Sequence, residues 1–343
     1  MPPTDSAPPV PPPGGSGSTR LPDPPPSDSA PPAARAAAGE DRTSSAGMAM
    51  VLGCYLLWGL FPMYFVLLSA AGSVEIIGHR LVWTLVTCLI LVALRGAWAP
   101  LRRVLSSPRR LGVLAVSGAL VTVNWLVYVY GVNTARTADA ALGYFINPLV
   151  TVALAALVLG ERLRPAQGAA VCLATAGVGV LVVAQGSLPW ISLALAFSFG
   201  LYGLVKKRVG AQVDALTGLT VESAVVSPVA LAYLVWLTAR GADVLHGPEA
   251  SPALAGLLVL AGPVTAVPLL LFAAGTRRVP LSVVGLSQYI APVLQFLVAW
   301  GVFHEEISPA RWAAMILVWV AVGVFVLDVL YQAARRPRLR APG

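Results

Sequence analysis

LGYFINPL at residues 142–149 returns as LSQYIAPV at 286–293, and GERLRPAQ at 160–167 returns as HEEISPAR at 304–311. Both pairs share one offset of 144 residues without a gap, so Pro148 matches Pro292, Glu161 matches Glu305 and Pro165 matches Pro309. Gly131 matches Gly275 at the same offset, and a weaker echo sets Trp58-Gly59 against Phe199-Gly200. The chain is therefore read as two copies of one unit.

Working outward, the chain from Gly47 is a succession of apolar runs. A hydrocarbon layer of ~30 Å needs about 20 residues of helix to cross it. Ten runs are long enough, at 47–70, 75–94, 111–131, 138–159, 166–185, 188–205, 216–239, 254–275, 281–302 and 310–331. The predicted fold is an all-α polytopic membrane protein. Residues 47–185 form the first repeat (spans 1–5) and 188–331 the second (spans 6–10). Each repeat has an odd number of spans, so the second is inverted relative to the first. Inverted repeats place a binding site near the midplane and support alternating access.

Composition excludes the soluble alternative. Of 343 residues, 57% are hydrophobic and only 11% are charged, whereas soluble domains carry about 25% charged residues. The formal net charge is +8, which in a soluble chain would suggest nucleic acid. Here the basic residues sit in short connections, and no folded soluble region remains to bind nucleic acid. After spans 2, 4, 6, 8 and 10 come Arg95 to Arg110, Arg162 and Arg164, Lys206 to Arg208, Arg277 and Arg278, and Arg335 to Arg340. With three tail arginines these place 19 basic residues on one side, against Arg136, Arg240 and Arg311 on the other. That asymmetry predicts a multi-pass membrane protein with both termini cytoplasmic.

The ends are tails. Residues 1–45 hold 13 prolines in the first 32 positions, too little apolar surface to offset ordering entropy. Residues 332–343 form a basic tail. Cys54, Cys88 and Cys172 each fall inside an apolar run without metal-ligand spacing, so they read as small packing residues. No metal or cofactor is expected.

Charges inside a bilayer are expensive, about 2.5–3.5 kcal/mol on insertion scales. Glu75, Arg80 and Glu222 stand out. Arg80 lies in the outer half of span 2 and Glu222 in the inner half of span 7, so they read as equivalent positions rather than as a pair. Asn124, Tyr128, Tyr144 and Asn147 join His79 and Arg80 in an expected outer polar cluster. Tyr202, Gln288 and Gln295 join Glu222 in an expected inner one. Trp58, Trp83, Tyr144 and Tyr289 are candidate aromatic contacts, while Pro148 and Pro292 are read as mid-helix kinks that shape a cavity or hinge. The plainer reading of the polar set is interhelical hydrogen bonding. Glu161 and Glu305 precede Pro165 and Pro309 and read as caps of spans 5 and 10.

At these residues a resemblance emerges. YLLWGLFPMYF (55–65), EIIGHRLVWT (75–84), the long stretch 124–163 and LSQYIAPVLQF (286–296) are similar to the RarD-type branch of the EamA drug/metabolite transporters. The resemblance covers about 47–331 and implies ten helices in a 5+5 inverted repeat, location in the cell inner membrane and a permease role, with no catalytic residue. The expected function is a secondary transporter that exports a small organic metabolite or drug. The alternatives are a non-transporting scaffold or a passive channel. An intramembrane enzyme finds no support, because GxSxG, HExxH and a paired-aspartate motif are missing from the spans. The expected partners are a small-molecule solute and the lipid bilayer, with a coupling proton and a homodimer as further candidates.

Overall fold

The computed structural model describes residues 45–159, 163–209, 213–279 and 281–335. The N-terminal tail to Ser44, the cap expected of Glu161 and the last eight residues lie outside them. Ten spans follow one another. They are α1 (Ser45–Val66), α2 (Ser73–Leu94), α3 (Pro108–Asn133), α4 (Thr137–Leu159) and α5 (Pro165–Gln185). The second set is α6 (Trp190–Val209), α7 (Ala215–Ala239), α8 (Pro252–Gly275), an interrupted α9 from Leu281 to Val302, and α10 (Pro309–Arg335).

Residues of opposite tendency set the ends of these helices. Pro108, Pro165, Pro252 and Pro309 open α3, α5, α8 and α10, where a missing N–H costs nothing. Asp214 and Ser251 cap α7 and α8 by accepting the N–H of Thr217 and Leu254. Gly186 ends α5 in the left-handed conformation, φ 65°.

The helix packing repeats the symmetry of the sequence. α4 packs on α6 as α9 packs on α1; α3 packs on α6 as α8 packs on α1; and α3 packs on α7 as α8 packs on α2. The pairs α2–α7, α4–α9 and α5–α10 each map onto themselves. Exchanging helix n for helix n+5 thus preserves these packed pairs, the signature of a pseudo-two-fold axis between the halves. Glycines permit the closest approaches. A Cβ at Gly143 would lie 2.7 Å from the Ser192 carbonyl of α6, and one at Gly59 would lie 2.6 Å from Leu294 Cβ of α9.

The outside is apolar. Val183 is 86% exposed and Leu157 83%, and such residues are stable only against lipid. Among the described residues nine helices are long and apolar enough to cross a membrane, and Trp190–Lys206 of α6 is a shorter apolar helix. Cys172 is exposed on this lipid-facing surface, unlike buried Cys54 and Cys88.

Two features depart from the sequence reading. Trp98–Leu105, inside the expected loop, is a short helix that buries Leu101 and Val104 against Leu114 and Leu216. The ninth span is not continuous: it runs Leu281–Ser287, turns at Gln288–Tyr289, resumes as Ile290–Leu297 and ends in a π-turn at Val298–Val302. The Tyr289 N–H bonds three residues back, to the Leu286 carbonyl. Pro292 has no N–H to give to the Gln288 carbonyl, so it sits in the first turn of a new segment rather than mid-helix. Pro148, its mirror, lies inside an unbroken α4.

Candidate functional site

Below, the basic face is the end of the bundle that carries Arg95–Arg110 and the α6–α7 connection; the other end is the opposite face.

In the first half of α2, Arg80 is 3% exposed. Its Nε donates to Thr265 Oγ1 of α8 at 2.8 Å. Its guanidinium carbon lies 4.0 Å from the Trp125 ring centre, 5.2 Å from Phe65 and 5.8 Å from Phe61. Nη1 is buried without an acceptor, and none of the ion pairs among the described residues involves Arg80. A buried ion costs several kcal/mol even after relaxation. The Trp125 face returns about 2 kcal/mol, and rings near the ~6 Å limit return less. The site therefore holds a positive charge that its own side chains do not neutralise.

Phe65 links Arg80 to Tyr128, ring to ring at 6.0 Å, and Tyr128 packs on Tyr144 at 5.7 Å. The Tyr128 hydroxyl is buried without a partner. Tyr144 donates to Asn124 Oδ1 at 3.0 Å, and Asn124 Nδ2 donates to the Leu195 carbonyl and Ser198 Oγ at 3.0 and 2.9 Å. Asn124 is thus a rivet between α3, α4 and α6. Arg80, Tyr128, Tyr144 and Asn124 form one cluster, as the sequence suggested. The other two members lie elsewhere. Asn147 bonds within its own helix to Thr151 Oγ1, and half-buried His79 sits one turn from Glu75.

Glu75 accepts the Val244 N–H at 2.9 Å, tying α2 to the α7–α8 loop at the opposite face. Next to it, Asp243 meets His246 Nδ1 at 2.7 Å. On the same face Glu305 accepts the N–H groups of Thr137 and Ala138 at 2.7 and 2.9 Å. Glu305 therefore caps α4, in the other repeat, and not α10. Long-range hydrogen bonding wins because the start of α4 presents free N–H groups and partial positive charge. Asp139, unmarked by the sequence reading, pairs with Arg136 at 2.8 Å and Arg311 at 3.3 Å.

Toward the basic face, Glu222 of α7 is 3% exposed. Ser117 Oγ donates to its Oε1 at 2.6 Å, and Lys206 Nζ ion-pairs with the same oxygen. Lys206 also lies 5.2 Å from the Tyr202 ring centre. Ser117 and Trp125 are eight residues apart on α3, about 12 Å at 1.5 Å per residue, so Glu222 and Arg80 occupy different levels. Gln288 and Gln295 do not join Glu222 through hydrogen bonds. Gln295 Nε2 donates to the Trp58 carbonyl at 3.0 Å, binding α9 to α1, while Trp58 packs on Tyr55 and Phe272. Gln295 Oε1 and the Tyr289 hydroxyl are buried without partners. Gln288 is half-buried at the interruption of α9, and Pro292 is buried just beyond it. Trp83 contributes its backbone: its carbonyl accepts from Thr87 and is packed against Gly262.

The sequence reading missed Lys206, Thr265, Phe61, Phe65 and Trp125. Lys206 stood in a run of three basic residues read as a loop. The aromatic residues meet only through packing between helices; the i,i+4 spacing of Phe61 and Phe65 was the one local cue.

The comparisons with known proteins agree with this architecture. The EamA-like transporter family matches twice, at residues 45–183 and 188–327. The protein RarD of Streptomyces exfoliatus is 46% identical over 88% of this chain and 93% of its own. An uncharacterized transporter of Vibrio cholerae is 40% identical over 87% of this chain and 98% of its own. A protein of known crystal structure shares the fold, with a TM-score of 0.52 and 22% identity over 84% of this chain and 99% of its own. With two family matches and relatives spanning nearly their whole length, the chain belongs to the EamA-like transporter family, in its RarD-type branch.

Proposed function

We propose that the protein is a secondary transporter of the bacterial inner membrane, with cytoplasmic termini, that exports a small organic solute by alternating access. The reading is of a permease rather than an enzyme. One observation carries it: the packing maps onto itself under exchange of the repeats, while buried charges lie at two levels, Arg80 nearer the opposite face and Glu222 nearer the basic one. A site between inverted halves is the arrangement that alternating access requires.

The solute site on this reading is the cluster of Arg80, Tyr128 and Tyr144, reached between the halves. Glu75, Glu305 and Asp139 close the opposite face. Glu222, with Lys206, Tyr202 and Ser117, forms the second gate and carries a coupling proton. The Glu222 charge holds Lys206 of α6 in its ion pair, so losing that charge would loosen α6 from α7. Gln288, Tyr289, Pro292, Gln295 and Trp58 line the matching region of the second repeat. A homodimer is compatible with the lipid-facing surface but is not needed for the site.

The test is thermal stabilisation of the purified protein across a panel of metabolites and antibiotics, followed by flux of any hit in proteoliposomes. A ligand bound only to the folded state raises the melting temperature by mass action. A stabilising solute that is also carried, with carriage lost in Glu222→Gln, supports the reading. A hit that binds but never crosses the bilayer would turn it toward a non-transporting scaffold.

A further inference from the structure

Of the five N–H donors of Arg80, the Nε–H is engaged by Thr265. Nη1 and the Tyr128 hydroxyl are both buried and both lack partners, and Phe65 packs against each residue. Glu75, the one acidic residue of α2, is already engaged by the Val244 N–H. A guanidinium whose fork is left open selects a planar, two-oxygen anion.

The charge bounds the class further. No second basic residue accompanies Arg80 in the interactions described around the cage, so a single negative charge is matched and a phosphate dianion would leave an excess. Rings of Phe61, Phe65 and Trp125 surround the cation, which favours an apolar or aromatic body over a sugar.

We propose that Arg80 and Tyr128 anchor the carboxylate of an organic monoanion whose apolar body lies against the rings of Phe61, Phe65 and Trp125. The inference rests on the transporter reading for its biological meaning, though not for the binding itself.

The experiment uses the full chain in lipid nanodiscs. Benzoate, indole-3-acetate and lactate are each compared with their carboxamides, at equal concentration, by thermal shift. At least one carboxylate, and the aromatic ones ahead of lactate, should raise the melting temperature saturably where its amide does not. Arg80→Gln should weaken that binding at least tenfold, and Arg80→Lys, which keeps the charge but loses the fork, should fall between. Arg80→Gln should itself melt at or above the wild-type temperature, since it removes an uncompensated buried charge. Equal shifts for acids and amides, no shift for any of the three acids, or unchanged binding in Arg80→Gln would overturn the site. Flux separates the two readings. Carriage of a neutral or cationic solute unaffected by Arg80→Gln sinks the carboxylate site and keeps the transporter. Arg80-dependent binding of a carboxylate that never crosses proteoliposomes keeps the site and sinks the transporter.

Discussion

Glu305 and Thr137, 168 residues apart in sequence, are joined by a hydrogen bond of 2.7 Å from the Thr137 N–H to the Glu305 carboxylate. The bond crosses from one repeat to the other. Each partner follows a backbone turn of positive φ, Ala135 at 53° and His304 at 52°. Two non-glycine residues held there mark a contact that the surrounding structure enforces.

Removing this clasp should be costly. Glu305→Ala leaves two N–H groups at the start of α4 without their acceptor, and is expected to destabilise by about 1–3 kcal/mol. Glu305→Gln retains one acceptor oxygen and should lose less. Thermal melting in nanodiscs measures both; equal losses for the two variants would show that the hydrogen bonds are not what matters.

Gly118→Ala should separate α3 from α7. Its Cβ would sit 2.8 Å from the Glu222 carbonyl oxygen and 3.2 Å from Glu222 Cα, both backbone atoms that cannot swing aside. Overpacking of this kind costs about 1–3 kcal/mol, and here it also pulls Ser117 off the Glu222 carboxylate. Gly112→Ala, where nothing lies within 4 Å, is the control and should be neutral or slightly stabilising.

Lys206→Met leaves the Glu222 carboxylate buried beside Ser117 alone. Breaking a fully buried pair costs 3–5 kcal/mol as a rule of thumb. The Lys206 side chain is 36% exposed, so solvent screening lowers the expected loss to about 1–3 kcal/mol. The double variant Lys206→Met, Glu222→Gln should recover much of it. A double-mutant cycle with no coupling would show that the ion pair is incidental.

Asp214 supplies a pH dependence outside the spans. Burial alone would push its carboxyl up, but bonds from the Thr217 hydroxyl and N–H outweigh that and hold it below the usual range. A carboxyl lowered by folding contributes stability that is complete above the unfolded value, about pH 4. That contribution fades as the pH falls through the lower folded value. Asp214→Asn keeps a cap and should flatten this acid limb. Asp214→Ala should lose about 1 kcal/mol at neutral pH. An acid limb unchanged in Asp214→Asn would exclude the carboxyl as its source.

Apolar run length and the Pro148–Pro292 match were enough to read ten spans and an inverted repeat, because lipid imposes length and the repeat imposes order. Arg80 stood out because intramembrane charge is rare. What escaped depends on distance in space. The loop reading of Lys206 failed because α6 continues through it to Val209 and brings it to Glu222. Glu305 stood directly before a helix-opening proline, yet its acceptor geometry serves a helix on the far side of the repeat boundary. Beyond the i,i+4 spacing of Phe61 and Phe65 the aromatic cage has no local pattern, since α1, α2 and α3 each bring a part of it. The short helix Trp98–Leu105 is too brief to leave a clear period.

One asymmetry remains between the copies. α9 turns at Gln288–Tyr289, while α4 passes straight through the matching Tyr144–Phe145. Two editions of one design thus coexist in different shapes within a single molecule. In a symmetric device the reversed assignment, α4 turned and α9 straight, would weigh the same. The scale is tilted only by residues the two editions do not share, such as Asn147 opposite Ala291. Substitutions at those unmatched positions are therefore where one edition could take on the other's shape while the pair of prolines stays untouched.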